Sequence, residues 1–295
     1  MTLRVHHLNC GSMREIEPND GPLSPLRPAR AVCHCLLIVT PTSGLVLVET
    51  GLGSAAIERP QEVLGDEFLG RAQPVLDAQE TAARQVDRLG YSPDDVRHIV
   101  LTHLDLDHAG GLPDFPHAHV HVHDAEYRAA MAAPGLHPED RVRYRPSQWA
   151  HRPRWVTYAS HQGDAWFGFD AVRQLEGLPD DILLIPLAGH TRGHTAVAVQ
   201  RSRADRDVET PPWLLHAGDA YYYHGEIDPE HPRSHPGMDL LQAITEVDRP
   251  LRLGNLARLR DLVRFHGDEV EVVSAHDPWE LQRHEERMTA IEPSA

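Results

Sequence analysis

The sequence is poor in cysteine. Its 295 residues include three, Cys10, Cys33 and Cys35. An odd number of thiols cannot close a set of disulfides, and Cys33-His34-Cys35 is a C-x-C pattern rather than the C-x-x-C of redox and zinc-ribbon sites. Thiols of this kind are typical of buried strands. We therefore assign the cysteines no functional role.

Long apolar runs are also absent, and basic residues are in deficit. A membrane-spanning helix needs about 20 consecutive apolar residues, and no such run is present. The first seven residues lack the apolar segment of a signal peptide, which predicts a cytoplasmic location. The 28 basic side chains face 44 acidic ones, for a net charge of −16. Because such a chain repels phosphate backbones and anionic membranes, we expect a small-molecule substrate and neither nucleic acid nor membrane as partner.

The length and the mixture of patterns predict one layered domain. The chain exceeds the ~100–200 residues usual for one domain, but single α/β domains reach this size. Strand-like and helix-like runs occur in both halves, so we predict one α/β domain over residues 1–295. Between about 125 and 170 the periodicity is weak, which predicts an irregular excursion. Its tryptophans, Trp149, Trp155 and Trp166, either cap a pocket or pack against the domain.

Local patterns predict individual elements. Turn residues between two apolar runs indicate a hairpin over 36–50. Helices are expected over 79–89, ending at Gly90, and over 254–266, ending at Gly267. Short apolar runs predict further strands at 98–102, 182–185, 196–199, 213–215 and 269–275.

The strongest functional signal follows the predicted strand at 98–102. The chain contains 22 histidines, and histidine is the commonest metal ligand. Here four potential ligands fall within six residues: His103, Asp105, Asp107 and His108. The leucines between them can anchor the loop in the core. Adjacent Asp107 and His108 point apart in an extended chain, so they are expected to serve a different centre from His103 and Asp105.

Three later segments have the same character. Each places a histidine or aspartate after an apolar run and next to a glycine or alanine. The residues concerned are His190, within Gly189-His190-Thr191-Arg192-Gly193-His194, then Asp219 and His276. Strand ends that carry ligands to one edge of a sheet are a rigid way to present a site.

The ordered motifs H-x-D-x-D-H, G-H-T-x-G-H, G-D and A-H resemble the metallo-β-lactamase superfamily, over roughly Leu36 to His276. The nearest branches in appearance are acyl-homoserine lactonases and glyoxalase II-like thioesterases. The resemblance implies a four-layer αββα sandwich of two similar halves, with a dinuclear metal site at one edge. It implies a first metal held by His103, Asp105 and His190, a second held by Asp107, His108 and His276, and Asp219 as the bridge. His194 matches a position that usually supports the loop.

Two positions depart from the family pattern. Asp105 stands where the family has the second histidine of H-x-H-x-D-H. A carboxylate is a harder, negatively charged ligand, so iron or manganese become alternatives to zinc, the expected metal. The same change leaves one ion instead of two as an alternative. Glu49 stands where the family often has an aspartate that hydrogen-bonds around the ligands.

The resemblance implies a hydrolase that uses two divalent ions. Such ions lower the pKa of a bridging water and polarise a carbonyl, so that metal-bound hydroxide opens a lactone, ester or thioester. Tyr222 lies three residues after Asp219. In the lactonase branch a tyrosine at this spacing contacts the substrate carbonyl and helps protonate the leaving alkoxide. Tyr222, Asp107 and Asp219 are therefore the predicted catalytic residues, and Tyr221 or Tyr223 takes the place of Tyr222 if the register is shifted.

A second group of histidines alternates with apolar residues. His117, His119, His121 and His123 share one face of a predicted strand. A strand that turns its polar side to water explains this pattern, and we favour that interpretation over metal binding.

Other function classes are left open. Carboxylate-rich relatives such as flavodiiron proteins use iron, so an iron-dependent oxygenase or oxidoreductase of the same fold is one alternative. A small-molecule phosphodiesterase is another, although the acidic charge opposes long polyanions. A non-catalytic binding protein is disfavoured because all seven ligand positions carry oxygen or nitrogen donors. The oligomeric state is open, with a homodimer as one outcome.

Overall fold

The computed structural model describes residues 3–21, 24–136, 140–159, 163–203 and 210–291. They form two six-stranded sheets with helices on the outer faces. In this part of the chain, every helix is too short or too polar to cross a bilayer.

The first sheet follows the chain in order, each strand beside the next. Its strands are β1 (Arg4–Ile16), β2 (Ala29–Val39), β3 (Leu45–Val48), β4 (Val96–Val100), β5 (His119–His123) and β6 (Arg154–Tyr158). The first three strands pair antiparallel and the last three join them in parallel. The hairpin predicted over 36–50 is confirmed as the β2–β3 pair.

The second sheet contains the later strands in reverse order. They are β7 (Asp164–Trp166), β8 (Phe169–Gln174), β9 (Ile182–Pro186), β10 (Thr195–Gln200), β11 (Trp213–His216) and β12 (Val270–Val273). β11 and β12 pair in parallel, and the other neighbours pair antiparallel. The four strands predicted after residue 180 are confirmed within a few residues.

The described residues also form ten α-helices. They are α1 (Gly53–Glu58), α2 (Pro60–Val63), α3 (Gly65–Ala72), α4 (Ala82–Arg88), α5 (Leu106–Ala109), α6 (Asp124–Leu136), α7 (Asp140–Arg143), α8 (Pro236–Thr245), α9 (Arg249–His266) and α10 (Pro278–Ile291). α9 begins five residues before the predicted start because Asp248 caps it, its carboxylate accepting from Leu251 N at 3.0 Å.

Three apolar clusters define four layers. Val46 of the first sheet and Val197 of the second belong to the cluster between the sheets. Leu47 points to the other face of the first sheet, where it joins Val86 of α4. Leu259 of α9 belongs to the cluster that covers the second sheet. The predicted αββα sandwich is confirmed.

The segment from 125 to 170 is more regular than predicted. It contains most of α6, then α7, β6 and β7, while residues 137–139 and 160–162 lie outside the described chain. β6 has little periodicity of its own, and pairing with β5 defines it, because strand formation depends more on neighbours than on local pattern. Trp149 and Trp155 pack on the first sheet and Trp166 packs on Trp213, so packing accounts for all three.

The prediction that one histidine face meets water is wrong for two of the four residues. His121 and His123 are buried. His121 Nδ1 lies 2.7 Å from the Tyr158 hydroxyl, and its Nε2 lies 2.9 Å from His98 Nδ1. Burial, reinforced by His98, lowers the pKa of His121 to about 3. A neutral imidazole with a hydrogen-bond partner at each nitrogen can be buried without a water molecule. The alternation of histidines with apolar residues in the sequence could not indicate these partners.

Candidate metal centre

Four loops meet at one edge of the sandwich and carry the predicted ligands. β4 leads into residues 101–108, the loop 187–194 joins β9 to β10, and Asp219 and His276 follow β11 and β12. α5 begins at Leu106 with Asp105 at its N-cap. The H-x-D-x-D-H segment is therefore extended at Asp105 and helical from Leu106 onwards. Asp107 and His108 therefore converge instead of pointing apart as expected for an extended chain.

The first set of candidate ligands contains His103, Asp105 and His190. Their ligand atoms lie within 4.8 Å of one another. Asp105 Oδ2 is 3.3 Å from His103 Nε2 and 3.1 Å from His190 Nε2. Both histidines are buried, so one carboxylate oxygen and two ring nitrogens converge away from solvent.

The second set contains Asp107, His108 and His276, whose ligand atoms also lie within 4.8 Å of one another. Asp107 Oδ1 is 3.9 Å from His108 Nε2, and Asp107 Oδ2 is 3.6 Å from His276 Nε2. The family resemblance implied these two sets, and a third possible group, which consists of His103, His108 and Asp219, spans both.

Asp219 lies between the two sets. Its Oδ2 is 3.3 Å from His190 Nε2 and 3.8 Å from His103 Nε2. Its Oδ1 is 3.2 Å from His108 Nε2 and 3.1 Å from His276 Nε2. Oδ2 also lies 3.3 Å from His276 Nε2, so the carboxylate contacts both sets, as a bridging ligand must.

The donor atoms fit divalent metal ions. Tetrahedral sites with metal–ligand bonds of about 2.0–2.2 Å place their donors about 3.3–3.6 Å apart. The contacts within the two sets run from 3.1 to 3.9 Å. His103 Nε2, His108 Nε2 and Asp219 Oδ1 are buried, and no described residue offers them a hydrogen bond. Buried polar atoms without partners are costly, so a cation between them stabilises the arrangement.

Opposite charges shift the pKa values of the clustered groups. Burial alone would raise the pKa of Asp219, but the imidazoles of His276 and His108 hold that pKa well below its usual value. Burial alone would lower the pKa of His108, yet Asp219 and Glu49 raise it well above the usual value. Asp219 is therefore held in the anionic form that binds metal, whereas a metal ion at His108 would have to displace a proton.

Neighbouring groups orient two ligands of the second set. His276 Nδ1 lies 2.8 Å from the Val32 carbonyl oxygen, which directs Nε2 to the cluster. His108 Nδ1 lies 3.2 Å from Glu49 Oε2, and Glu49 Oε1 accepts a hydrogen bond of 2.8 Å from Thr102 N. Glu49 thus supports a ligand although it replaces the shorter aspartate.

His194 supports the loop instead of joining either set. Asp219 N donates to its Nε2 at 2.9 Å, and its Nδ1 lies 3.1 Å from the Leu187 carbonyl oxygen. Gly218 adopts φ +54°, and a Cβ there would lie 2.6 Å from His194 Nε2. Glycine is therefore required for the close approach that places Asp219.

Tyr222 is the tyrosine that faces the ligands. Its hydroxyl donates to Asp219 Oδ2 at 3.0 Å and lies 3.3 Å from Thr245 Oγ1. The hydroxyls of Tyr221 and Tyr223 donate to carboxylates outside both sets. Burial, with the negative charge of Asp219, raises the pKa of Tyr222 well above its usual value. Its phenol therefore keeps its proton at neutral pH.

Two residues at the centre carried no signal in the sequence, and the first is Arg143. Its Nη1 lies 2.8 and 2.7 Å from the two carboxylate oxygens of Asp105. Its side chain is only 10% exposed. The sequence places Arg143 in the segment expected to be irregular, where no spacing relates it to the ligand motifs.

The second such residue is Glu126, a buried carboxylate at the start of α6. It accepts hydrogen bonds from Leu104 N at 3.0 Å and from the Tyr144 hydroxyl at 2.9 Å. It also accepts from Thr191 Oγ1 at 2.6 Å and from Gly193 N at 3.1 Å. Glu126 therefore ties the loop of the first motif to the loop of the second.

Replacing Glu126 by alanine should lower the free energy of unfolding by about 3 kcal/mol or more, because several buried donors lose their acceptor. Urea denaturation followed by circular dichroism measures this change. Glu62→Ala is the control, since Glu62 forms an exposed ion pair with Arg59 and its loss should cost less than about 1 kcal/mol. Equal losses in the two variants would contradict the role given to Glu126.

A cavity of about 330 Å³ opens beside the ligands. Asp107 and Tyr222 line it together with Phe68, Met238 and Leu241, and charged side chains such as Arg14, Glu67 and Arg71 also contribute. A lining that combines candidate ligands with apolar side chains suits a molecule with one reactive polar group and an apolar tail.

Comparison with known proteins now identifies the family. Residues 29–208 match the sequence profile of the Metallo-beta-lactamase superfamily. The chain belongs to this superfamily. A probable metallo-hydrolase of Mycobacterium tuberculosis is 41% identical over 276 residues, which cover 94% of this chain and 81% of the relative. An N-acyl homoserine lactonase of Bacillus thuringiensis is 25% identical over 258 residues, covering 85% and 87%. The predicted class, a metallo-hydrolase, is confirmed.

Solved structures show the same fold. B. thuringiensis AiiA with N-decanoyl-L-homoserine at its active site aligns with a TM-score of 0.67 and 21% identity, covering 96% of this chain and 97% of that one. AidC, a dizinc quorum-quenching lactonase in complex with a product, aligns with a TM-score of 0.55 and 16% identity, covering 92% of each chain. The sandwich and its two sheets are therefore those of the superfamily.

Proposed function

We propose that this chain is a metal-dependent hydrolase that opens a small acyl ester, with a lactone as the preferred substrate. The observation that carries the proposal is the Tyr222 hydroxyl, 3.0 Å from Asp219 Oδ2 in the lining of a cavity that also contains Phe68, Met238 and Leu241. When an ester is hydrolysed the leaving alkoxide must gain a proton, and a buried phenol can supply it. The apolar side chains in this lining suit an acyl chain.

The residues present would hold two divalent ions, with zinc as the expected metal. The first ion falls to His103, Asp105 and His190, the second to Asp107, His108 and His276, and Asp219 serves both. When bound, such ions lower the pKa of water and polarise a carbonyl. The chain itself fixes the spacing of the ligands, orients the histidines and holds the Tyr222 proton beside the reacting group.

Related proteins favour the same substrate class. The B. thuringiensis relative is an N-acyl homoserine lactonase, and AiiA and AidC were solved with N-acyl homoserines. An acyl homoserine lactone joins a reactive ring to an apolar chain, which suits the candidate ligands and the apolar side chains that line this cavity. We therefore propose this class as the first to test.

The net charge of −16 supports a small neutral molecule rather than a nucleic acid as partner. The cytoplasmic location and the homodimer stay predictions from the sequence.

An activity panel on the zinc-loaded chain tests the proposal. We expect hydrolysis of acyl homoserine lactones to exceed hydrolysis of a thioester, a β-lactam and a phosphodiester by at least about tenfold in kcat/KM. The same preparation stripped by a chelator is the control, and activity should return when zinc is restored.

Faster hydrolysis of the phosphodiester would contradict the lactone assignment. Metal analysis of the chain as purified provides a second test. Bound iron together with oxygen consumption would contradict the hydrolase assignment and favour an iron-dependent oxygenase, the alternative suggested by the carboxylate of Asp105.

A further inference from the structure

A positively charged guanidinium contacts the first ligand set. Arg143 Nη1 lies 2.7 Å from Asp105 Oδ2 and 3.3 Å from His190 Nε2. These are two of the atoms that the first set offers to a metal ion. The corresponding contacts of Asp107 in the second set are to His108 and His276.

Arg143 is held in this position from several sides. Its Nη2 donates to the Thr245 carbonyl oxygen at the end of α8. At the other end of α7, Asp140 accepts from Arg192 Nη1 at 2.9 Å. The next residue, Tyr144, is fixed by its hydrogen bond to Glu126. The guanidinium is thus a built part of the centre and not a loose surface side chain.

The charge of Arg143 has opposite effects on Asp105 and on a metal ion. It stabilises a buried carboxylate at a position where the family has a neutral imidazole. It also repels a divalent cation bound to the same carboxylate, and in a buried site this repulsion is only weakly screened. Metal affinity is lowered in either case: a guanidinium that stays repels the ion, and one that withdraws loses its hydrogen bonds to Asp105 and Thr245.

We infer that the pairing of Arg143 with Asp105 makes the two metal sites unequal. The second set, with Asp107, His108 and His276, is the high-affinity site, and the first set is a weaker, exchangeable site. This inference rests on the proposed dinuclear centre. Arg143 is then a positioning residue that sets the metal concentration at which both sites are filled.

Zinc titration of the chelator-stripped chain against a chromophoric chelator tests this inference. We expect two binding steps in the wild type, with dissociation constants at least about tenfold apart. Arg143→Gln should tighten the weaker step about tenfold or more and leave the stronger step unchanged. Arg143→Lys, which keeps the charge, should retain the wild-type separation. Arg59→Gln is the control, because it removes an exposed guanidinium whose ion pair with Glu62 involves no ligand atom of either set.

His190→Ala assigns the steps, since it should remove the weaker one and leave the stronger one in place. Circular dichroism checks that each variant is folded, and Arg143→Met, which keeps the aliphatic stem, replaces Arg143→Gln if that variant does not fold. Two equal steps in the wild type, or an unchanged separation without Arg143, would overturn the inference and leave the proposed function standing. No zinc uptake by the wild type would overturn both.

Discussion

Asp219→Ala is expected to reduce kcat/KM on the best acyl ester at least about 10³-fold, which corresponds to about 4 kcal/mol of lost transition-state stabilisation. The reason is that its carboxylate contacts both ligand sets, at 3.3 Å from His190 Nε2 and 3.1 Å from His276 Nε2. The substitution removes the carboxylate oxygens that both sets face, and it leaves several imidazoles facing one another. Steady-state kinetics, together with metal content per chain, measures the effect, and both should fall.

Asp268→Ala provides the control for this substitution. Asp268 is an exposed aspartate between α9 and β12. Its replacement should change neither activity nor metal content. If Asp219→Ala kept two ions per chain and more than about a tenth of the activity, Asp219 would not be the bridging ligand.

Tyr222→Phe is expected to lower kcat about 10²-fold while KM changes little. The substitution removes the hydroxyl that donates to Asp219 Oδ2, yet it keeps the ring that lines the cavity. Metal content should stay at the wild-type value because Tyr222 belongs to neither ligand set. The measurement is a comparison of kcat, KM and bound metal in the two proteins.

Tyr221→Phe is a matched control one residue away. It also removes a buried hydroxyl, which donates to Glu280 at 3.0 Å. This substitution should lower the free energy of unfolding by about 1 kcal/mol and leave kcat close to that of the wild type. Equal losses of kcat in the two variants would assign the effect to folding and remove Tyr222 from the catalytic group.

The ligand-bearing loops could be predicted because their sequence and geometry are local. His103, Asp105, Asp107 and His108 follow one strand directly, so their shared position needs no knowledge of distant contacts. The local pattern was wrong about direction, since a helix begins at Leu106 and brings Asp107 and His108 together. The grouping into two sets came from the family resemblance and not from periodicity.

The supporting residues could not be predicted because their roles depend on tertiary contacts. Glu126 and Arg143 lie in a segment whose weak periodicity hid α6, α7 and β6. Nothing near Arg143 in the sequence indicates that its guanidinium meets Asp105, 38 residues earlier in the chain. His121 shows the same limit, since its burial depends on Tyr158 and His98, which belong to neighbouring strands.

The Val32 carbonyl that orients His276 belongs to β2, in the first half of the molecule, whereas His276 follows the last strand of the second half. A nascent chain that has emerged only as far as residue 200 carries neither Asp219 nor His276, so only the first ligand set is present in full. Zinc capture by the second set should therefore come late, after His276 has been synthesised. A protease cut between the sheets that lets them separate should release the ions.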